Sequence, residues 1–88
     1  MTKPVRRGIT LTKTAQKGIQ ALPEHVRTAC KNILRSLGEG TERGKKLKGP
    51  LHDLRSIRIG RSHRLIYRET PEQIQVIAVG PRGDVYKR

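Results

Sequence analysis

Apolar and polar residues alternate through the C-terminal half of the chain. Leu54 to Ile59 and Arg64 to Glu69 both repeat with period two, and Ile74 to Val79 is almost wholly apolar. Successive side chains of a strand point to opposite faces, so these runs predict three consecutive strands. Gly60-Arg61-Ser62 separates the first two. A three-residue loop with a glycine is a common hairpin connection. It pairs Ile59 with His63, Arg58 with Arg64 and Ile57 with Leu65. That register collects Ile57, Ile59, Leu65 and Tyr67 on one face and Arg58, Arg64 and Arg68 on the other. A one-residue slip would mix the faces, so the pattern argues for its own register. The third run, apolar at nearly every position, predicts a central strand buried on both faces. Thr70-Pro71-Glu72 supplies the turn before it.

The N-terminal half changes period. Leu11, Ala15, Ile19 and Leu22 recur at helical spacing after Thr12, a suitable N-cap. Gly18 weakens that helix by roughly 1 kcal/mol against alanine. Pro23 begins a second helix. Val26, Cys30, Ile33 and Leu37 form its apolar stripe, and Gly38 is its expected C-terminal cap. Val5 to Leu11 reads as a short edge strand. Glu39 to Pro50 reads as a polar linker anchored by Leu47. The order strand, helix, helix, strand, strand, strand predicts one α+β domain over residues 1–88. A helical hairpin would pack on a twisted antiparallel sheet of about four strands.

Composition narrows the function classes. The 88 residues carry a net charge of +13, with basic residues in both halves. Such a charge favours a polyanion or an acidic protein as partner. The aromatic residues are Tyr67 and Tyr86 alone, too few for a sheet that stacks several bases. The single Cys30 excludes an internal disulfide, lies on the apolar stripe and is expected in the core. No apolar run is long enough for a signal segment or a membrane span, so a cytoplasmic location is expected. No nucleotide-binding glycine loop, zinc-ribbon cysteine spacing or ligand spacing of His25, His52 and His63 is present, and no metal or cofactor is expected. Glu39, Glu42 and Asp53 are too dispersed for a carboxylate pair.

The guanidinium face remains, with Arg82 and Tyr86 beyond it. A guanidinium clamps a phosphate with two parallel hydrogen bonds and stabilises charge on a reacting phosphate. A tyrosine stacks on a base. Such a set suits RNA cleavage in which the 2′-hydroxyl is the nucleophile. The same arginines also suit a solvated face or the binding of an acidic partner, and composition alone favours a plain basic binding protein of ribosomal or histone-like kind. Lys45, Lys46 and Lys48 read either as a solvated loop or as phosphate contacts.

Four segments in order carry a resemblance. They are Lys46-Leu47-Lys48-Gly49, Leu54 to Ile59, His63-Arg64-Leu65-Ile66-Tyr67 and Val79 to Tyr86. They are similar to the "KLxG" loop, the "xRxG" strand, the "YR(L/V)(I/V)Y" strand and the "(V/I)GxRxxVY" ending of the RelE/ParE toxin superfamily. The match covers about half of the chain, from Lys46 to Tyr86, and the helices before it fit the family's order of elements. The resemblance implies a toxin of a type II toxin–antitoxin module. RelE-like members cut mRNA on the ribosome and are neutralised by an antitoxin; ParE-like members share the fold and inhibit DNA gyrase. Arg58, Arg64, Arg82 and Tyr86 match the catalytic positions of the RelE-like branch, which ParE-like members generally lack. Lys45, Lys46, Lys48, Arg61 and Arg68 would contact RNA. The implied partners are an acidic RelB-like antitoxin, in a hetero-oligomeric complex, and the ribosome with its message. Ser56 and Arg58 stand where the best-known members carry lysines, and an arginine is a poor base. His63 faces away from Arg58 in the register above, and a loop lysine is the other candidate, so the proton acceptor is unassigned.

Overall fold

The computed structural model describes residues 6–49 and 53–81. The helices and strands among these residues are, in order, β1 (Gly8–Leu11), α1 (Lys13–Gln20), α2 (Glu24–Glu39), β2 (Lys45–Lys46), β3 (Arg55–Ile59), β4 (His63–Glu69) and β5 (Gln73–Pro81). The strands form one sheet in the order β1-β5-β4-β3-β2. The hairpin has the register its alternation predicts: Ile57 opposite Leu65, Arg58 opposite Arg64, Ile59 opposite His63.

The sheet is mixed rather than wholly antiparallel, and it has five strands. β1 runs parallel to β5, with Ile9 opposite Ile74 and Leu11 opposite Val76. Two helices lie between β1 and the rest of the sheet in sequence, which is the length of connection a parallel pair needs. The fifth strand is β2, inside the segment expected to be a linker; Lys45 and Lys46 pair with Ser56 and Arg55. Val5 lies outside the described residues.

β4 is the central strand, and β5 lies between β4 and β1. The apolar run of β5 still serves both faces. Ile74, Val76 and Val79 join the helix-side core, while Ala78 is buried outside that cluster, paired with Ile66. A bulge makes this possible: Ile66 pairs with Ala78 but Tyr67 with Val76, so Ile77 is the extra residue. An extra residue shifts which face later side chains occupy.

Thr12 ties α1 to that bulge. Its Oγ accepts from the Ala15 N–H at 3.0 Å, as an N-cap, and donates to the Ile77 carbonyl at 2.7 Å. Ala15, Leu22, Val26, Cys30 and Leu37 are buried against Ile59, Leu65 and Tyr67, as the helical stripes predict. Burial pushes the Cys30 thiol up from its usual range, in keeping with a packing role.

Two glycines of the helices act differently from their sequence reading. α2 runs past Gly38 and ends at Gly40, whose φ of 80° is the left-handed cap conformation. Gly38 instead lies beneath the crossing N-terminal segment, where the Arg7 N–H donates to its carbonyl at 2.8 Å. Gly18 sits so close to β5 that a Cβ would collide with the Val79 carbonyl. The glycine that weakens α1 is what lets α1 lie on the sheet.

Candidate functional site

The face of the sheet away from the helices is built from the alternate positions of β3 and β4. Directly opposed residues project to the same side. Arg58, Arg64 and Gly80 form one row, and Lys45, Ser56, Ile66 and Ala78 form the next. Gly80 leaves the side of Arg64 toward β5 without a side chain. Ile66 and Ala78, both buried, give this face an apolar centre that the strict arginine pattern did not foresee.

Arg64 is the anchored cation of the set. Its Nη1 donates to the Ser56 Oγ at 3.2 Å. Ser56 is itself 4% exposed, so the anchor is fixed in the sheet rather than on a mobile surface group. The Arg64 Nε is buried and has no hydrogen-bond partner among the described residues. Arg58 is exposed beside it. Arg68 shares the face, but its guanidinium is engaged: it meets Asp53 at 3.1 Å and donates to Gln75 at 3.3 Å.

The other expected residues divide. Lys45 lies on the arginine side, in register with Ser56, whereas Lys46 is opposite Arg55 and belongs to the helix side. Lys46 lines a hollow of about 340 Å³ with Asp53, Arg55 and Glu69. Lys48 is exposed after β2. Arg61 lies at the hairpin tip, on a groove of about 320 Å³ shared with His25, Val26, Ala29 and Ile59. His63 is opposite Ile59, away from Arg58, and its Nδ1 is 3.0 Å from the Ser62 hydroxyl. Arg82 and Tyr86 lie outside the described residues.

A polar cluster at the helix-side edge escaped the sequence reading. Glu69 meets Arg7 and Arg43 at 3.0 Å and Arg55 at 3.4 Å. Burial alone would raise its carboxyl, but the Arg43 hydrogen bond and the charges of Arg43, Arg7 and Arg55 outweigh that and hold it below the usual range. Tyr67 is fully buried, and its hydroxyl accepts from the Gly44 N–H at 2.7 Å. Burial raises that phenol above its usual pKa near 10, against the opposing pull of the Gly44 hydrogen bond. The signal was present: Arg55 and Glu69 have the same parity as Ile57 and Leu65, so two opposite charges had to share the covered face.

The family model for the ParE toxin of type II toxin–antitoxin systems matches residues 9–86. The chain belongs to that family. The RelE/ParE resemblance of residues 46–86 is therefore a true membership, and the molecule is a toxin of the type II class. Solved structures share the fold. The toxin of the Mycobacterium tuberculosis RelBE toxin–antitoxin complex is 28% identical, with 96% of this chain and 100% of that one covered and a TM-score of 0.77. YafQ of Escherichia coli shares the fold at 15% identity, covering 92% and 99%, with a TM-score of 0.78. The Methanococcus jannaschii RelB–RelE complex gives 24% identity, 88% and 94% coverage and a TM-score of 0.72. No curated protein matches the sequence. No helix among the described residues of this ParE-family toxin is long and apolar enough to cross a membrane.

Proposed function

We propose that this toxin is a ribosome-dependent endoribonuclease of the RelE-like kind, which cuts mRNA and so stops translation in the cytoplasm. One observation carries the reading: an Arg64 guanidinium anchored on Ser56, beside Arg58, on the uncovered face of the central strand. The 2′-hydroxyl of the message attacks the adjacent phosphorus without a metal. Arg64 grips the scissile phosphate and Arg58 adds a second phosphate contact, since a guanidinium presents a fork of donors. The family resemblance gives Arg82 the developing charge on the phosphorane or leaving oxygen, and Tyr86 the stacking of a base. Lys45, Lys46, Lys48, Arg61 and Arg68 extend the contact with RNA. The partner that silences the toxin is an acidic RelB-like antitoxin in a hetero-oligomeric complex. The +13 charge supports it, as does the presence of antitoxins in the solved M. tuberculosis and M. jannaschii complexes.

A second reading comes from the description of the matching family, which is that of ParE: inhibition of DNA gyrase on the same scaffold. Expression without an antitoxin separates the two. Codon-located cuts in mRNA and falling protein synthesis support the nuclease; DNA-damage signalling with intact mRNA supports the gyrase inhibitor. In ribosome-dependent cleavage of a short message, folded Arg64→Ala and Arg82→Ala proteins should each lose on the order of 10²–10³ in rate, as when a preorganised charge donor is removed. Cutting at the parent's rate by both would reject the assigned site.

A further inference from the structure

We propose that Tyr67 is a positioning residue for RNA binding: through the Gly44 amide, it holds Lys45 of β2 on the arginine face. The inference rests on the RNA contact given to Lys45 in the endoribonuclease reading. It goes beyond that reading by naming the core group that sets the contact.

The two residues serve opposite faces of the sheet. Tyr67 is opposite Arg55 and is fully buried in the helix-side core. Lys45 is exposed and stands opposite Ser56, on the side of Arg58 and Arg64. Gly44 joins the two sides. Its N–H donates to the Tyr67 hydroxyl at 2.7 Å, and its carbonyl accepts from the Arg55 guanidinium at 2.8 Å. Glu69 meets the Nε of that guanidinium at 3.4 Å. The N–H and the carbonyl of residue 44 are thus both bonded to side chains of the covered face. A Cβ at Gly44 would come within 2.6 Å of the Ser56 carbonyl and 2.8 Å of the Ile57 side chain. A glycine is what brings the chain this close to β3, one residue before Lys45.

β2 needs such a mount. It has two residues and lies at the edge of the sheet, with β3 as its neighbour. A short edge segment with few buried contacts opens readily. Lys45 therefore owes its place to what is fixed on either side of it. After the strand, the Leu47 N–H donates to the Leu54 carbonyl at 3.0 Å. Before the strand, the tie reaches into the core. A hydroxyl held in a core is costly to leave unpaired, so the fold keeps Gly44 against Tyr67 whether or not RNA is bound. A cation fixed before its ligand arrives loses less freedom on binding. Removing the hydroxyl frees the backbone before Lys45, while the ring continues to fill the core.

The test is binding of a short 2′-O-methylated RNA, which has no free 2′-hydroxyl to attack, by purified toxin over a range of salt. Circular dichroism confirms folding. Each phosphate contact with a single strand adds about 0.7 to the slope of log affinity against log salt. Lys45→Gln should lose about that much of the parent's slope. Tyr67→Phe changes no charge and should lose the same amount. Combined with Lys45→Gln it should cost nothing further, because residues acting through one contact are not additive. Gly44→Ala forces β2 away from β3 and leaves Tyr67 intact; it should match Tyr67→Phe, and replaces it if that variant does not fold. A folded Tyr67→Phe protein with the parent's slope overturns the inference. So does an equal loss in the parent and Lys45→Gln backgrounds, the mark of a merely structural role, and so does a Lys45→Gln protein with the parent's slope. The nuclease reading is judged separately, by the parent's cutting of an unmodified message on the ribosome. No cutting there, with the expected slopes observed, overturns that reading and upholds the mount of Lys45.

Discussion

Arg58 and Arg64 stand directly opposite each other across the β3–β4 ladder. Like charges in that position destabilise a sheet. The arrangement is therefore costly to the fold, a cost that an anion bound between the two would relieve. Arg58→Gln should raise stability by about 0.2–1 kcal/mol, the range of a cross-strand pair. The same variant should bind RNA more weakly. Thermal unfolding and a nucleic-acid titration on one preparation check both signs; a variant less stable than the parent would mean that Arg58 has a structural partner.

Gly18 separates two physical arguments that point in opposite directions. Helix propensity alone favours Gly18→Ala by about 1 kcal/mol. The contact with β5 opposes it, because the added Cβ would collide with the Val79 carbonyl. Backbone cannot turn aside as a side chain can, so the collision should win. The expected result is destabilisation by about 1–3 kcal/mol, the range for overpacking, measured by urea unfolding.

The hairpin register was legible because three local facts agree on it: period-two alternation in both strands, a glycine in the turn, and faces that a slip would mix. Arg58 and Arg64 came with it. The neighbour of β1 was not legible, since Ile9 and Leu11 mark a strand but not its partner. Lys45 and Lys46 were indistinguishable for a related reason. Which of the two faces the arginines depends on how β2 pairs with Ser56 and Arg55 across the intervening loop, and no alternation in a run of lysines reveals that. Ser56 looked like a polar spacer; its role as the acceptor of Arg64 appears only when the two strands are side by side. At α2 the sequence reading placed the cap at Gly38. The crossing of Arg7 over Gly38, a contact distant in sequence, selected Gly40.

Tyr67 couples the core to the loop that carries Lys45. Tyr67→Phe leaves the ring in place and removes the acceptor of the Gly44 N–H. An unsatisfied buried donor costs about 1–3 kcal/mol. Alkali should act on the same hydroxyl, through the cost of burying its charged form rather than through the Gly44 bond. The folded phenol titrates above its usual pKa near 10 because burial disfavours the phenolate. The stability it contributes is thus complete below about pH 10 and is lost as pH rises from there through the folded value. Unfolding midpoints from pH 8 upward should fall more steeply for the parent than for Tyr67→Phe; parallel curves would refute the linkage.

Glu69 gives the opposite dependence. Arg7, Arg43 and Arg55 converge on one carboxylate that is 19% exposed, so three guanidiniums share a single compensating charge. Despite the opposing effect of burial, they hold its pKa below the usual value of 4.5. A depressed carboxylate stabilises the fold above its unfolded pKa, and that contribution disappears as pH falls through the folded value. The Arg43 hydrogen bond and charge lower it most, and Arg7 and Arg55, each 20% exposed, add their charges. Glu69→Gln should cost about 1.5–3 kcal/mol at neutral pH, the range for a hydrogen bond to a charged group. The cost should shrink below pH 4.5, where the parent's own carboxylate becomes protonated. Urea unfolding of both proteins at pH 7 and pH 3 measures the difference. An equal gap at the two pH values would show that the carboxylate's shape, not its charge, holds the three arginines.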